Sequence, residues 1–102
     1  MLYVDASALV PLYTPEATSN EIEQMVMAAD GVAVSDLTLA EAKNAIIRKG
    51  RRGELMQEDV VMALRAIDVH VAQRRFYLVE MQRSFFQQVS ELSQQARFIC
   101  VR

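Results

Sequence analysis

The sequence predicts an α/β fold with a short parallel sheet. Three runs of strand-forming residues, at positions 2–4, 32–34 and 76–79, alternate with segments of helical periodicity. This alternation is typical of units in which helices connect parallel strands. Each run is followed closely by an acid, and these acids are Asp5, Asp36 and Glu80. Because α/β proteins bind ligands beyond the carboxyl ends of their strands, the acids are candidate ligands for a hard divalent cation.

Helical periodicity covers the segments between and after the strands. Thr14 is the predicted N-cap of the second helix and Pro15 its first residue, while Gly50 is expected to end the third. The apolar, partly β-branched segment from Phe98 to Val101 is a candidate fourth strand. The predicted helices cover residues 6–13, 15–30, 38–49, 54–73 and 82–96.

Composition restricts the class of protein. The chain has 102 residues, 52% of them hydrophobic, which suits one domain with its own core. A formal charge of −2 gives no overall attraction for nucleic acid, so any basic surface must be local. Cys100 is the single cysteine, which excludes a disulfide framework. Without a signal-like or membrane-spanning segment, the sequence predicts a cytoplasmic protein.

Asp5 has two interpretations. It stands between the first strand and the first helix, with Ser7 two residues later. As an N-cap it would accept backbone N–H bonds from the first turn and contribute about 1 kcal/mol. As an acid at a strand-to-helix turn it is a candidate metal ligand. Capping is the favoured interpretation of Asp36 and Glu80, which occupy comparable positions.

Glu41 also has two interpretations. The segment from Thr38 to Glu41 matches a capping box, in which the glutamate bonds back to the N-cap residue. Helical geometry places Glu41 on one face with Ala45 and Arg48, away from the main apolar stripe. From that face its carboxylate is expected to reach the edge of the sheet where Asp5 lies.

Four basic residues close the third helix. They are expected to neutralise nucleic-acid phosphates near the acids, or to stabilise the negative C-terminal end of the helix, and both interpretations remain open. The residues are Arg48, Lys49, Arg51 and Arg52.

These residues resemble the PIN domain family and, within it, the VapC-type ribonuclease toxins of bacterial toxin–antitoxin pairs. The resemblance implies a three-layer α/β/α fold and an Mg²⁺- or Mn²⁺-dependent endoribonuclease. It makes Asp5 and Glu41 the catalytic and metal-binding residues, with Ser7 as a hydrogen-bond partner of Asp5. The implied ion activates water and stabilises charge on the scissile phosphate. The matching segments are Tyr3 to Val10, Leu37 to Lys49 and Gly53 to Leu55.

The resemblance also implies partners: an RNA substrate, an antitoxin protein and a second copy in a homodimer. Residues 1–102 are expected to form a single PIN-like domain that lacks the usual C-terminal quarter, with its third and fourth acids. We therefore expect weak metal binding and reduced nuclease activity. The alternative is a catalytically inactive remnant that binds an antitoxin or itself.

The expected lack of the C-terminal quarter also affects the sheet. Without the later strands of the family, the first strand is expected to have an open edge, which favours association. The segment from Phe98 to Val101, or a second protein, is expected to cover that edge.

Overall fold

A computed structural model describes residues 1–80 and the backbone of residues 97–99. The predicted α/β class is confirmed, since short strands alternate with helices along the chain. The predicted helix over residues 82–96, Cys100 and the end of the predicted last strand lie outside the described residues. In chain order the elements are β1 (Leu2–Val4), α1 (Ala6–Tyr13), α2 (Ser19–Ala28), β2 (Val32–Ser35), α3 (Asp36–Arg51), α4 (Gln57–Ala72), β3 (Tyr77–Val79) and β4 (Arg97–Ile99).

The sheet is parallel, and its described strands have the order β3-β2-β1-β4. On one side of β1, Leu2 pairs with Val32; on the other, Leu2 pairs with Arg97. The predicted fourth strand is therefore confirmed, with bounds at residues 97–99. Because β4 of the same chain pairs with β1, the edge of β1 expected to be open is covered from within the chain. The alternative expectation, that a second protein covers this edge, is wrong.

All four described helices pack on one face of the sheet. Alternate residues of each strand point to opposite faces, so the side chains of β1 and β2 divide between two clusters. Tyr3, Ala33 and Val79 form the cluster on the opposite face. The connections from β1 to β2 and from β2 to β3 cross the sheet in the same direction. Because such connections are right-handed, both place their helices on the same face of the sheet. The helix-side core includes Leu2, Val4, Leu9, Ile22, Val34, Ile46 and Ile67. Within the described ranges, no helix has the length and apolar character needed to cross a bilayer.

The start of α2 differs from the sequence-based prediction. Thr14 is not its N-cap; it is the C-cap of α1, where its backbone N–H and its Oγ1 both donate to the carbonyl of Val10 at 3.0 and 3.1 Å. The helix begins instead at Ser19, with Thr18 as its N-cap. Pro15 therefore lies in a loop, and the residue after it is available for contacts outside a helix.

The start of α3 also differs, with a consequence for Glu41. Ser35 is the N-cap, because its Oγ accepts the N–H of Thr38 at 2.9 Å, and Asp36 is the first helical residue. Thr38 is thus inside the first turn, and the predicted capping box is wrong. Glu41 lies in the following turn, where no backbone N–H of the helix start requires its carboxylate.

The contacts that join α4 to the rest of the helical layer include a close approach to α3 and a hydrogen bond to α1. Gly50 extends α3 past its predicted end and meets Val60 of α4 so closely that a Cβ at position 50 would lie 2.7 Å from Cγ2 of the valine. Tyr13 of α1 is linked to α4 through a hydrogen bond of 2.7 Å between its hydroxyl and Nδ1 of His70. The C-terminal turn of α3, with its basic residues, is thereby fixed against α4.

Candidate active site

Asp5 lies at the junction of β1 and α1, where it caps the helix. Its Oδ1 accepts the backbone N–H of Ala8 at 3.1 Å and the hydroxyl of Ser7 at 2.7 Å. The capping interpretation of Asp5 is therefore right. It does not exclude a metal ligand, because a carboxylate has two oxygens and several lone pairs.

An open groove of about 510 Å³ lies along the junction of α1 and α3, close to this cap. It brings Ser7 and Glu41 together with two of the predicted basic residues, Arg48 and Lys49. Asp5 does not line the groove itself and adjoins it through Ser7. The lining residues are Ala6, Ser7, Val10, Glu16, Glu41, Asn44, Ala45, Arg48 and Lys49.

The face of α3 predicted from helical geometry is the face that lines this groove. Glu41, Ala45 and Arg48 all belong to it, together with Asn44. Glu41 is exposed, and no ion pair within residues 1–80 engages its carboxylate. The groove therefore has an acidic end beside the Asp5 cap and a basic end at the last turn of α3.

The four predicted basic residues divide into two groups. Arg48 and Lys49 line the groove, whereas Arg51 and Arg52 do not. Nη2 of Arg52 forms an exposed ion pair of 3.3 Å with Oε2 of Glu54. The basic residues thus do not act as one cluster, although they are neighbours in sequence.

Glu16 is a groove residue that the sequence analysis missed. Its Oε2 lies 3.2 Å from Nζ of Lys49 and accepts the hydroxyl of Thr14 at 3.2 Å. The sequence Thr14-Pro15-Glu16 has the composition of a helix start, which predicts Glu16 in a first helical turn, whereas the helix begins at Ser19. The loop that places it in the groove results from the burial of Thr14, which no local periodicity signals.

The groove contains oxygen donors of the kind Mg²⁺ prefers. Asp5 and Glu41 stand on adjacent elements, but among the described residues no three His, Cys, Asp or Glu side chains converge as metal ligands. Two carboxylates suit an ion that retains part of its water shell. Arg48 and Lys49 supply positive charge for an anionic chain in the same groove.

Comparison with known proteins identifies relatives of this chain, although no protein-family model matches it. Ribonuclease VapC3 of Pyrobaculum aerophilum is 41% identical over 58 residues, which are 57% of this chain and 44% of VapC3. The crystal structure of Mycobacterium tuberculosis VapC20, described as a sarcin–ricin loop cleaving toxin, superposes with a TM-score of 0.60 at 18% identity. That superposition covers 93% of this chain and 68% of VapC20.

The chain has the PIN-like fold of VapC toxins. The resemblance predicted from the residues around Asp5 and Glu41 is thereby confirmed. The sequence match spans less than half the length of VapC3. Within the PIN-like fold, the first strand, its capping acid and the groove along α3 all belong to the described part of the chain.

Proposed function

We propose that this PIN-like chain is a cytoplasmic, Mg²⁺- or Mn²⁺-dependent endoribonuclease of the VapC toxin type, with its RNA bound in the groove between α1 and α3. The observation that carries the proposal is the composition of that groove, in which Glu41 and Ser7, the hydrogen-bond partner of Asp5, share one cavity with Arg48 and Lys49. The names of the two similar proteins support it, since VapC3 is named a ribonuclease and VapC20 a sarcin–ricin loop cleaving toxin.

The acids, Ser7 and the basic residues of this site each have a proposed role. Asp5 and Glu41 would hold the metal ion, whose chemistry would be the activation of water and the stabilisation of charge on the scissile phosphate. Ser7 is a positioning residue, because its hydroxyl bond to Oδ1 fixes the orientation of the Asp5 carboxylate. Arg48 and Lys49 contact the RNA phosphates, which makes RNA binding weaken as salt rises.

Arg51 and Arg52 continue the basic surface beyond the groove and contribute less to RNA binding. Both are exposed, and Arg52 already has Glu54 as a counter-ion. An exposed pair of this kind contributes about 1 kcal/mol or less. Their contribution is expected mainly in the rate of association, through long-range attraction of RNA.

The metal site is proposed to be weak in the absence of RNA. Two carboxylates are few ligands for Mg²⁺, which keeps several waters and draws further ligands from substrate phosphates. We therefore propose that nuclease activity is lower than in a PIN domain with a full set of acids. We favour a nuclease over the alternative predicted from the sequence, an inactive interaction module, because Glu41 and Ser7 share the groove with Arg48 and Lys49.

The test compares Glu41→Gln and Asp5→Asn with Glu54→Gln, which makes the same change of charge outside the groove. Cleavage of a quenched fluorescent single-stranded RNA is measured with Mn²⁺, and Mn²⁺ binding is measured separately by calorimetry. We expect Glu41→Gln and Asp5→Asn each to lose at least about tenfold in metal affinity and in cleavage. Glu54→Gln is expected to match the wild type. Equal cleavage by all four proteins, or no Mn²⁺ binding by the wild type, would contradict the assignment.

We also propose the partners implied by the resemblance, an antitoxin protein and a second copy of the chain. Large apolar side chains exposed on α4 and β3 support association, among them Met62, Val69 and Tyr77. Light scattering tests the homodimer, because a mass that stays at the 11.5 kDa of one chain at all concentrations excludes it. Loss of RNA cleavage on co-expression with a candidate antitoxin tests the other partner.

A further inference from the structure

The ion pair between Glu16 and Lys49 lies inside the proposed RNA groove. Its two side chains are 33% and 20% exposed, compared with 52% and 61% for Glu54 and Arg52 in the pair outside. The Lys49 ammonium, which the proposed function assigns to an RNA phosphate, therefore already has a carboxylate partner. Both residues line the groove, so the pair faces the space that RNA would occupy.

Glu16 is held in this position from several sides. The hydroxyl proton of Thr14, a residue that is 4% exposed, is shared between the carbonyl of Val10 at 3.1 Å and Oε2 of the glutamate at 3.2 Å. The backbone N–H of Glu16 donates to Oγ of Ser19 at 2.9 Å, and that hydroxyl donates to the carbonyl of Thr14 at 3.2 Å. Hydrogen bonds within the loop from Thr14 to Ser19 thus hold Glu16 where its carboxylate contacts the ammonium group of Lys49.

A carboxylate and a phosphodiester present the same kind of group to an ammonium, a negatively charged oxygen. They compete for Lys49 if RNA enters the groove. We propose that Glu16 is an internal counter-ion that occupies Lys49 in the free protein and is exchanged for an RNA phosphate on binding. This inference rests on the proposed function of the groove.

The exchange makes RNA binding more selective. At the basic end of the free groove Glu16 offsets the charge of Lys49, so an anionic polymer that contacts this end alone gains less binding energy. RNA that also contacts the acidic end, where the proposed metal ion binds, gains additional binding energy and displaces Glu16 from Lys49. Because selectivity is a difference between affinities, a carboxylate that weakens all anions at Lys49 favours the ligand with the further contacts.

The test measures the affinity for a labelled single-stranded RNA by fluorescence anisotropy, with a chelator present so that no cleavage occurs. The variants are Glu16→Gln, Lys49→Met and the double variant, with Glu54→Gln as the control for charge at the end of α3. Glutamine keeps an oxygen acceptor for Thr14 and removes only the charge. Circular dichroism melting confirms that every variant is folded.

We expect Glu16→Gln to tighten RNA binding about two- to fivefold at low salt, the range for a single partly exposed ion pair. The gain shrinks as salt rises. It is absent in the Lys49→Met background, and Glu54→Gln, which releases only the exposed Arg52, changes the affinity less than Glu16→Gln does. Lys49→Met alone weakens binding. It also makes the negative slope of log affinity against log salt shallower by about 0.7, the value for one phosphate of a single strand.

Several results would overturn the counter-ion role. They are an unchanged or weaker affinity in Glu16→Gln, an equal gain in the presence and absence of Lys49, or an equal gain in Glu54→Gln. RNA binding that depends on Lys49 but not on Glu16 removes this inference and leaves the proposed function intact. If neither the wild type nor Glu16→Gln binds RNA, the proposed function fails as well.

Discussion

Replacement of Gly50 by alanine tests how closely α3 and α4 approach beside the proposed RNA groove. A Cβ at this position would lie 2.7 Å from Cγ2 and 3.8 Å from Cβ of Val60. Carbon atoms prefer separations of about 3.5–4.0 Å. Val60 is buried and β-branched, so its methyl group has few alternative rotamers. The added methyl group must therefore push the two helices apart.

Two opposing contributions determine the size of the effect. Overpacking a buried contact costs about 1–3 kcal/mol. Alanine offsets part of this cost, because it favours the helix by about 1 kcal/mol relative to glycine. We expect a net loss of about 1 kcal/mol in the free energy of unfolding. For a domain of this size, that loss lowers the melting temperature by about 4–8 °C.

The assay is urea and thermal denaturation followed by circular dichroism for wild type, Gly50→Ala, Val60→Ala and the double variant. Once Val60 is shortened the clash disappears, so Gly50→Ala should stabilise the protein in that background. Gly53→Ala is the control: its φ of +76° disfavours alanine by about 1 kcal/mol, and no atom lies within 4 Å of its Cβ position. Its cost should not depend on Val60. Gly50→Ala as stable as wild type, with no coupling to Val60→Ala, would refute the reasoning.

Two further predictions concern hydrogen bonds that position the helices around the groove. Ser35→Ala removes the N-cap of α3 and the partner of the Thr38 hydroxyl at 2.9 Å, so the urea midpoint should fall by the equivalent of about 1 kcal/mol; an unchanged midpoint would contradict the cap. Tyr13→Phe removes the bond to His70 and should cost about 1 kcal/mol at neutral pH. Burial raises the pKa of Tyr13 to about 12 from 10.0, so its neutral form stabilises the fold fully below pH 10 and progressively less as the pH rises to 12. Denaturation midpoints between these pH values should decline less steeply in Tyr13→Phe, and equal slopes would contradict this assignment.

The strands and the acids beside them could be predicted because their signals are local. An apolar β-type run followed by Asp5 defines both β1 and the cap of α1 within a few residues. The face of α3 that carries Glu41 and Arg48 followed from helical geometry alone. Such features depend on periodicities of two and 3.6 residues, which the sequence displays directly.

The start of α3 could not be predicted, because its first residues offer competing caps. Ser35, Asp36 and Thr38 are all good N-cap residues. The choice is made by the sheet, since Ser35 pairs with Val79 of β3 and remains extended at the end of β2. Pairing between distant segments decided a local boundary.

Glu16 could not be predicted as a groove residue for a related reason. Its contact with Lys49 joins a loop after α1 to the last turn of α3, and it exists only when α1 and α3 are packed together. No spacing in the sequence marks such a pair. The burial of Thr14, which ends α1 and directs the loop, is likewise a property of the folded protein.

The pairing of β1 with β4 determines the order in which the sheet can be completed. Leu2 pairs with Arg97 and Val4 with Ile99, although β1 emerges from the ribosome long before β4. Contacts so distant in sequence form late, because the intervening loop must close first. Until then β1 exposes one row of unpaired backbone groups to neighbouring nascent chains. Substitutions that weaken β4 should therefore reduce the yield of folded protein before they alter a groove built from earlier residues.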